Sequence, residues 1–238
     1  MTLDGEIGPG AEATTREEYF NRWSQLHGGV DPRASWLIKI WLSFAYSVAR
    51  PMTRMGLSPN GVTGLGLLVA AVVPLLAWQY TGSGQAWWLV LAIVATVLTG
   101  LLDNLDGAVA VISGRTTRWG YVLDSIADRL SDAALLAALW ALGAPGPLVV
   151  LAGLAGSIQE YARARAAAIG VSEVGVVSIS ERPTRVIIVA VFFALAAWSP
   201  YGIDAAGWAT IGAWAALGAA LIGAAQVCLT LRTKLREQ

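Results

Sequence analysis

The sequence predicts an all-α membrane protein, with six transmembrane helices preceded by an interfacial amphipathic helix. Three observations lead there. Hydrophobic residues make up 56% of the 238 and charged residues only 13%, where a soluble domain carries about 25% charged. Apolar runs recur six times, each near the roughly 20 residues that cross a bilayer. Lys and Arg gather in alternate short loops, as membrane insertion demands. The formal net charge is zero, so nothing points to a nucleic-acid partner. Cys228 is the one cysteine and His27 the one histidine. An intrachain disulfide is therefore excluded, and a metal site has to be built from oxygen ligands.

In chain order, residues 1–33 are polar and rich in acid (Glu6, Glu12, Glu17, Glu18, Asp31). They lack the basic start and apolar core of a signal peptide, so a cytoplasmic, partly disordered segment is expected. Residues 34–57 follow a helical pattern, with Trp36, Leu37, Ile40, Trp41, Phe44 and Val48 three and four apart and Lys39, Arg50 and Arg54 among them. Such a helix lies in the interface rather than spanning it. Residues 58–232 form one transmembrane domain with spans near 60–80, 86–112, 119–142, 146–168, 184–199 and 205–231, and residues 233–238 are a short tail. Pro59 suits the first turn of the first span. Small residues such as Gly153, Gly156, Gly212 and Gly218 would allow close helix approach.

Orientation follows from the loops. With six spans, Arg115 and Arg118, the set Arg163, Arg165, Arg182 and Arg185, and the tail Arg232, Lys234 and Arg236 all fall on one side. The loops near 81–85, 143–145 and 200–204 contain no Lys or Arg. Trp78, Tyr80, Trp87, Trp88, Trp198 and Trp208 cluster toward that second side as an aromatic belt. The reading is a multi-pass plasma-membrane protein with both termini cytoplasmic.

Asp103, Asp106, Asp124 and Asp128 stand out against this apolar background. Asp103 and Asp106 are three apart near the end of the second span, and Asp124 and Asp128 four apart near the start of the third. Each pair shares a helical face, and a tight turn through Ser113 and Gly114 would set the two helices side by side. Carboxylates in a membrane persist where they face a bundle interior and bind something cationic. All-oxygen ligation favours Mg, Mn or Ca, and four carboxylates suit two ions, the arrangement used in phosphoryl transfer. Gly107 and Gly120, without side chains, leave room for a ligand to approach the backbone. An ion-transport pathway would use the same residues and remains open at this point.

The run Asp103-x-x-Asp106-Gly107-x-x-Ala110, then nine residues to Gly120, then Asp124 and Asp128, resembles the signature of the CDP-alcohol phosphotransferases, D-x-x-D-G-x-x-A-R, eight residues, G-x-x-x-D-x-x-x-D. Seven of its eight fixed positions agree; the family's arginine is here Val111. Ser58-Pro-Asn60-Gly-Val-Thr63 and the six-span layout are similar as well. Within the family, Tyr161-Ala-Arg163-Ala-Arg165 and Glu181-Arg182-Pro183-Thr184-Arg185 resemble segments of the actinobacterial phosphatidylinositol phosphate synthases.

The resemblance implies transfer of a phosphatidyl group from a CDP-alcohol, CDP-diacylglycerol above all, to a hydroxyl of a phosphorylated polyol such as inositol phosphate, with release of CMP. It implies two Mg or Mn ions held by Asp103, Asp106, Asp124 and Asp128, with Asp128 also the general base. Asn60, Gly61, Val62, Thr63, Gly107 and Thr117 match positions around the donor nucleotide. Arg163, Arg165, Arg182 and Arg185 match positions that take the acceptor's phosphate, and planar guanidiniums suit that task. Membrane lipid is the setting and a homodimer the family's usual state. Glycerol phosphate or another polyol as acceptor, and a relative that binds nucleotide or metal without turnover because of Val111, stay as alternatives. For an active enzyme, Arg115 or Arg118 in the same short loop would substitute for the missing arginine.

Overall fold

A computed structural model describes residues 15–26, 29–171 and 178–236; His27, Glu6, Glu12 and the side chain of Leu37 lie outside the described residues. The described residues contain no strand. They form eight α-helices: α1 (Arg16–Leu26), α2 (Trp36–Arg54), α3 (Pro59–Ser83), α4 (Trp87–Ser113), α5 (Arg118–Ala141), α6 (Gly146–Ala168), α7 (Arg182–Trp198) and α8 (Ala205–Arg236). The helix expected at 34–57 corresponds to α2, and the six expected spans correspond to α3–α8. Of these, α3, α4 and α8 are long and apolar enough to cross a membrane. α5 and α6 carry charged side chains along their length, and α7 has only 17 residues.

One compact unit comprises the described residues up to Gly66 together with Leu101–Asp128. Its first helix, α1, falls in the stretch where the sequence suggested no element. Thr15 and Glu18 form a reciprocal capping box: the Thr15 N–H donates to the Glu18 carboxylate at 3.1 Å, and the Glu18 N–H donates to Thr15 Oγ1 at 3.2 Å. Arg33 then staples the helix from the following turn, donating to Glu17 at 2.5 Å and to Asn21 at 3.0 Å with its guanidinium over the Phe20 ring. These contacts are exposed and individually weak. Burial is the stronger tie, since Tyr19 and Phe20 are each 1% exposed and an aromatic or large aliphatic side chain taken out of water contributes about 1.5–3 kcal/mol.

The core of this unit joins Tyr19 and Phe20 to Leu42, Ala45, Tyr46 and Ala49 of α2, Val62 of α3, and Leu105, Ala108, Val109, Val111 and Ile112 of α4. α2 therefore has two apolar faces. One is buried here, while Trp36, Ile40, Trp41 and Phe44 on the other are exposed. α4 stops at Ser113 because Gly114 takes φ +65°, and the Arg115 N–H closes back on the Ala110 carbonyl at 3.1 Å, the outer bond of a Schellman terminus.

The second unit comprises Leu67–Gly100 and the described residues from Arg129 onward. Its core is rich in alanine, with Ala77, Ala92, Ala138, Ala152, Ala196, Ala209, Ala213 and Ala220 set among Leu89, Leu139, Phe193 and Leu217. Small residues let helix backbones approach closely in lipid, where packing rather than water exclusion drives association. Among the glycines expected to serve this purpose, Gly212 does so most clearly, as a Cβ there would lie 2.9 Å from the Phe192 side chain. Gly156 and Gly218 have open space instead. Trp208, expected in the aromatic belt, is buried in the core against Phe192. Trp78, Trp87 and Trp198 are exposed as expected.

Candidate functional site

Three of the four aspartates converge. Asp103 from α4 and Asp124 and Asp128 from α5 each place a carboxylate oxygen within 4.8 Å of the others, all three half-buried. The short turn at Gly114 makes this possible, because it returns the chain into α5 directly after α4. Three anionic oxygens at such spacing repel one another unless a cation lies among them. The donor set is all oxygen, so the residues fit Mg or Mn.

Asp106 is placed differently. It is 6% exposed and does not join the three. Its Oδ2 accepts the Thr63 hydroxyl at 2.6 Å, and its Oδ1 accepts the Gly107 N–H at 2.6 Å. Thr63 has one hydroxyl proton, and the longer 3.1 Å approach to the Pro59 carbonyl leaves the carboxylate as its partner. The hydroxyl of Thr63 thus orients an acid 43 residues away.

The residues flanking this site fall into distinct roles. Ser58 caps α3 by accepting the Gly61 N–H at 3.1 Å, and Thr117 caps α5 by accepting the Gly120 N–H at 2.9 Å. A Cβ on Gly120 would stand 3.0 Å from Thr117 Oγ1 and 3.3 Å from Asn60 Oδ1, so glycine there lets the starts of α3 and α5 meet. Gly107 is exposed, and a Cβ on it would meet nothing within 4 Å. Val62 is a core side chain, 1% exposed. Val111 is buried too, and its carbonyl accepts Arg22 Nη1 from α1 at 3.4 Å. Arg115 and Arg118 are exposed beside it in the chain.

In the second unit, two of the four arginines singled out from the sequence enter one ion-pair cluster. Arg163 pairs with Glu181 at 2.5 Å, and Arg185 pairs with Asp132 and, at 3.0 Å, with Glu160. Arg129 and Asp132 pair at 3.2 Å. Arg165 is exposed on α6, and Arg182 is half-buried at the head of α7. Burial works to raise the Glu181 carboxyl, but Arg163 and the Ser178 N–H and hydroxyl outweigh it and hold it below the usual carboxylate value. A cavity of about 280 Å³ borders Arg129, Asp132 and Arg185 and is otherwise walled mainly by apolar residues such as Leu135, Val150 and Val189. Glu160 was not singled out from the sequence; its spacing of three from Arg163 was the available signal.

An all-helical membrane protein with a clustered carboxylate site on two consecutive helices belongs to the class of membrane-embedded enzymes that use divalent cations. The family model for CDP-alcohol phosphatidyltransferase matches residues 57–224, and the chain belongs to that family of transferases. The phosphatidylinositol phosphate synthase of Mycolicibacterium smegmatis is 37% identical over 156 residues, 63% of this chain and 67% of that protein. Two solved structures of the Mycobacterium tuberculosis phosphatidylinositol phosphate synthase are similar in fold. One, in complex with manganese and citrate, has a TM-score of 0.63 at 30% identity, over 79% of this chain and 89% of that one. The other, with CDP-DAG bound, has a TM-score of 0.60 at 29% identity, over 79% and 94%.

Proposed function

We propose that the protein transfers the phosphatidyl group of CDP-diacylglycerol to a hydroxyl of inositol phosphate and releases CMP. The observation that carries this reading is the convergence of Asp103, Asp124 and Asp128 within 4.8 Å, in the spacing of the family signature. The acceptor and donor follow from the relatives, which are phosphatidylinositol phosphate synthases, one of them with CDP-DAG bound.

In this reading Asp103, Asp106, Asp124 and Asp128 hold two Mg or Mn ions, which when bound neutralise the carboxylates and the donor's diphosphate. Thr63 fixes Asp106 for this task. Asn60, Gly61, Val62, Gly107 and Thr117 surround the donor nucleotide, Val62 through its backbone because its side chain is buried and Gly107 through the open space before it. The acceptor's hydroxyl oxygen forms a bond to the phosphorus that carries diacylglycerol. The bond from that phosphorus to the bridging oxygen breaks, CMP leaves with the electron pair, and Asp128 takes the hydroxyl proton. Arg163, Arg165, Arg182 and Arg185 receive the acceptor's phosphate.

The same reading sets α3–α8 as six spans of the plasma membrane in a homodimer, with both termini and the aspartates cytoplasmic. α2 lies in the interface, its exposed Trp36, Ile40, Trp41 and Phe44 in lipid and Lys39, Arg50 and Arg54 toward headgroups. The test is CMP release by purified protein with CDP-diacylglycerol and Mn, screened against inositol phosphate, glycerol phosphate and inositol. Release dependent on inositol phosphate and lost in Asp128→Asn is expected. Release with glycerol phosphate alone would move the acceptor, and binding without release would make the protein the inactive relative that Val111 suggests.

A further inference from the structure

The charged cluster of the second unit has a centre, and it is a carboxylate. Glu160 Oε1 accepts a hydrogen bond from Arg185 Nη2 at 3.0 Å and forms longer ion pairs with Arg163 Nη1 at 3.6 Å and Arg129 Nη1 at 3.9 Å. These arginines come from α7, α6 and α5. Asp132 and Glu181 are the further carboxylates here, so in the ion pairs of the described residues three guanidiniums face three carboxylates. Glu160 is the more distant carboxylate for every arginine around it. Each arginine around it keeps a closer or comparable second carboxylate: Asp132 for Arg129 and Arg185, Glu181 for Arg163. Taking Glu160 away therefore orphans none of them.

A point faced by three guanidiniums is a place for an oxyanion. Resting on the reading that Arg163 and Arg185 receive the acceptor's phosphate, we infer that Glu160 occupies the position of that phosphate and competes with it. The incoming phosphate monoester displaces the Glu160 carboxylate, and every arginine retains its other partner during the exchange. The exchange sets a threshold. A dianionic phosphate brings more charge than the carboxylate it replaces, whereas an uncharged polyol brings none and leaves the pairs closed. Glu160 thereby selects phosphorylated acceptors over their unphosphorylated counterparts.

The experiment compares wild type, Glu160→Gln and Glu160→Asp in acceptor KM and kcat with inositol phosphate, and in the inhibition constant of inorganic phosphate. Glu160→Gln is expected to lower the acceptor KM and the phosphate inhibition constant by threefold or more, with kcat changing less than KM. Glu160→Asp, which draws the carboxylate back by one methylene, is expected to shift both in the same direction by less. An unchanged or raised KM in either variant would overturn the inference, as would failure of Glu160→Gln to fold, since the guanidiniums would then depend on Glu160. Arg185→Gln separates this from the reading beneath it: if its acceptor KM equals wild type, the arginines do not receive the acceptor at all, whatever Glu160 does.

Discussion

Replacing Thr63 by valine isolates the tie between α3 and the acid of α4. The side chains are nearly the same size, so the change removes one hydrogen bond of 2.6 Å and little packing. Asp106 is left buried at 6% exposure, with the Gly107 N–H still donating to its Oδ1 at 2.6 Å. A hydrogen bond to a charged group is worth about 1.5–3 kcal/mol, and with tenfold per 1.4 kcal/mol this amounts to roughly ten- to 150-fold. If the hydroxyl holds Asp106 in its working orientation, kcat/KM for CDP-diacylglycerol falls by that factor, and Thr63→Ser recovers most of it. The assay is steady-state CMP release at saturating Mn, with thermal midpoints in detergent to check folding. A Thr63→Val enzyme within twofold of wild type, or a serine variant no better than the valine one, would refute the reasoning.

Three further outcomes follow from the same geometry. Gly107→Ala does not lower the thermal midpoint, because the added methyl meets nothing within 4 Å and alanine favours the helix interior, yet it raises the donor KM several-fold if the nucleotide occupies that space. Gly223→Ala does the reverse and destabilises by about 1–3 kcal/mol, seen as a lower thermal midpoint, because its Cβ would stand 2.5 Å from Gln159 Oε1 and 2.6 Å from Ser180 Cβ. Glu181 has a lowered folded value, so its contribution to stability is complete above the unfolded value near 4.5 and disappears as pH falls through the folded one. Acid titration of the melting temperature should show a shallower decline in Glu181→Gln than in wild type.

Much of this architecture is legible in the chain. Apolar runs bounded by glycine, proline and arginine locate α3–α8 to within about five residues, because hydrophobic patterning and helix terminators are local signals. α1 escaped that reading although its capping box, Thr15 to Glu18, is local. Its apolar residues, Tyr19, Phe20, Trp23 and Leu26, do follow a helical spacing, but they stand among charged and polar neighbours in a segment whose acid-rich composition suggested a tail. The convergence of Asp103, Asp124 and Asp128 was readable from their spacing on two helices joined by a short turn. The Thr63 bond to Asp106 was not, since it spans 43 residues and depends on how α3 meets α4. Trp208 misled for a similar reason, for its position at a helix start fits a belt residue, while Phe192, 16 residues earlier by sequence number, takes it into the core.

The signature on α4 names only some of its positions, and the unnamed ones are not idle. Leu105, Ala108 and Val109, interleaved with Asp103, Asp106 and Gly107, belong to the same core as Tyr19 and Phe20. The helix thus reads in two registers, one written for ligands and one for α1 and α2. Variation at the second set is constrained by what sits at residues 19 and 20, so those positions should drift together across descendants of this chain. Shortening the chain past Phe20, as in trimming a recombinant version to its catalytic part, would uncover the rear of the aspartate-bearing helix and call for a compensating redesign of all three residues.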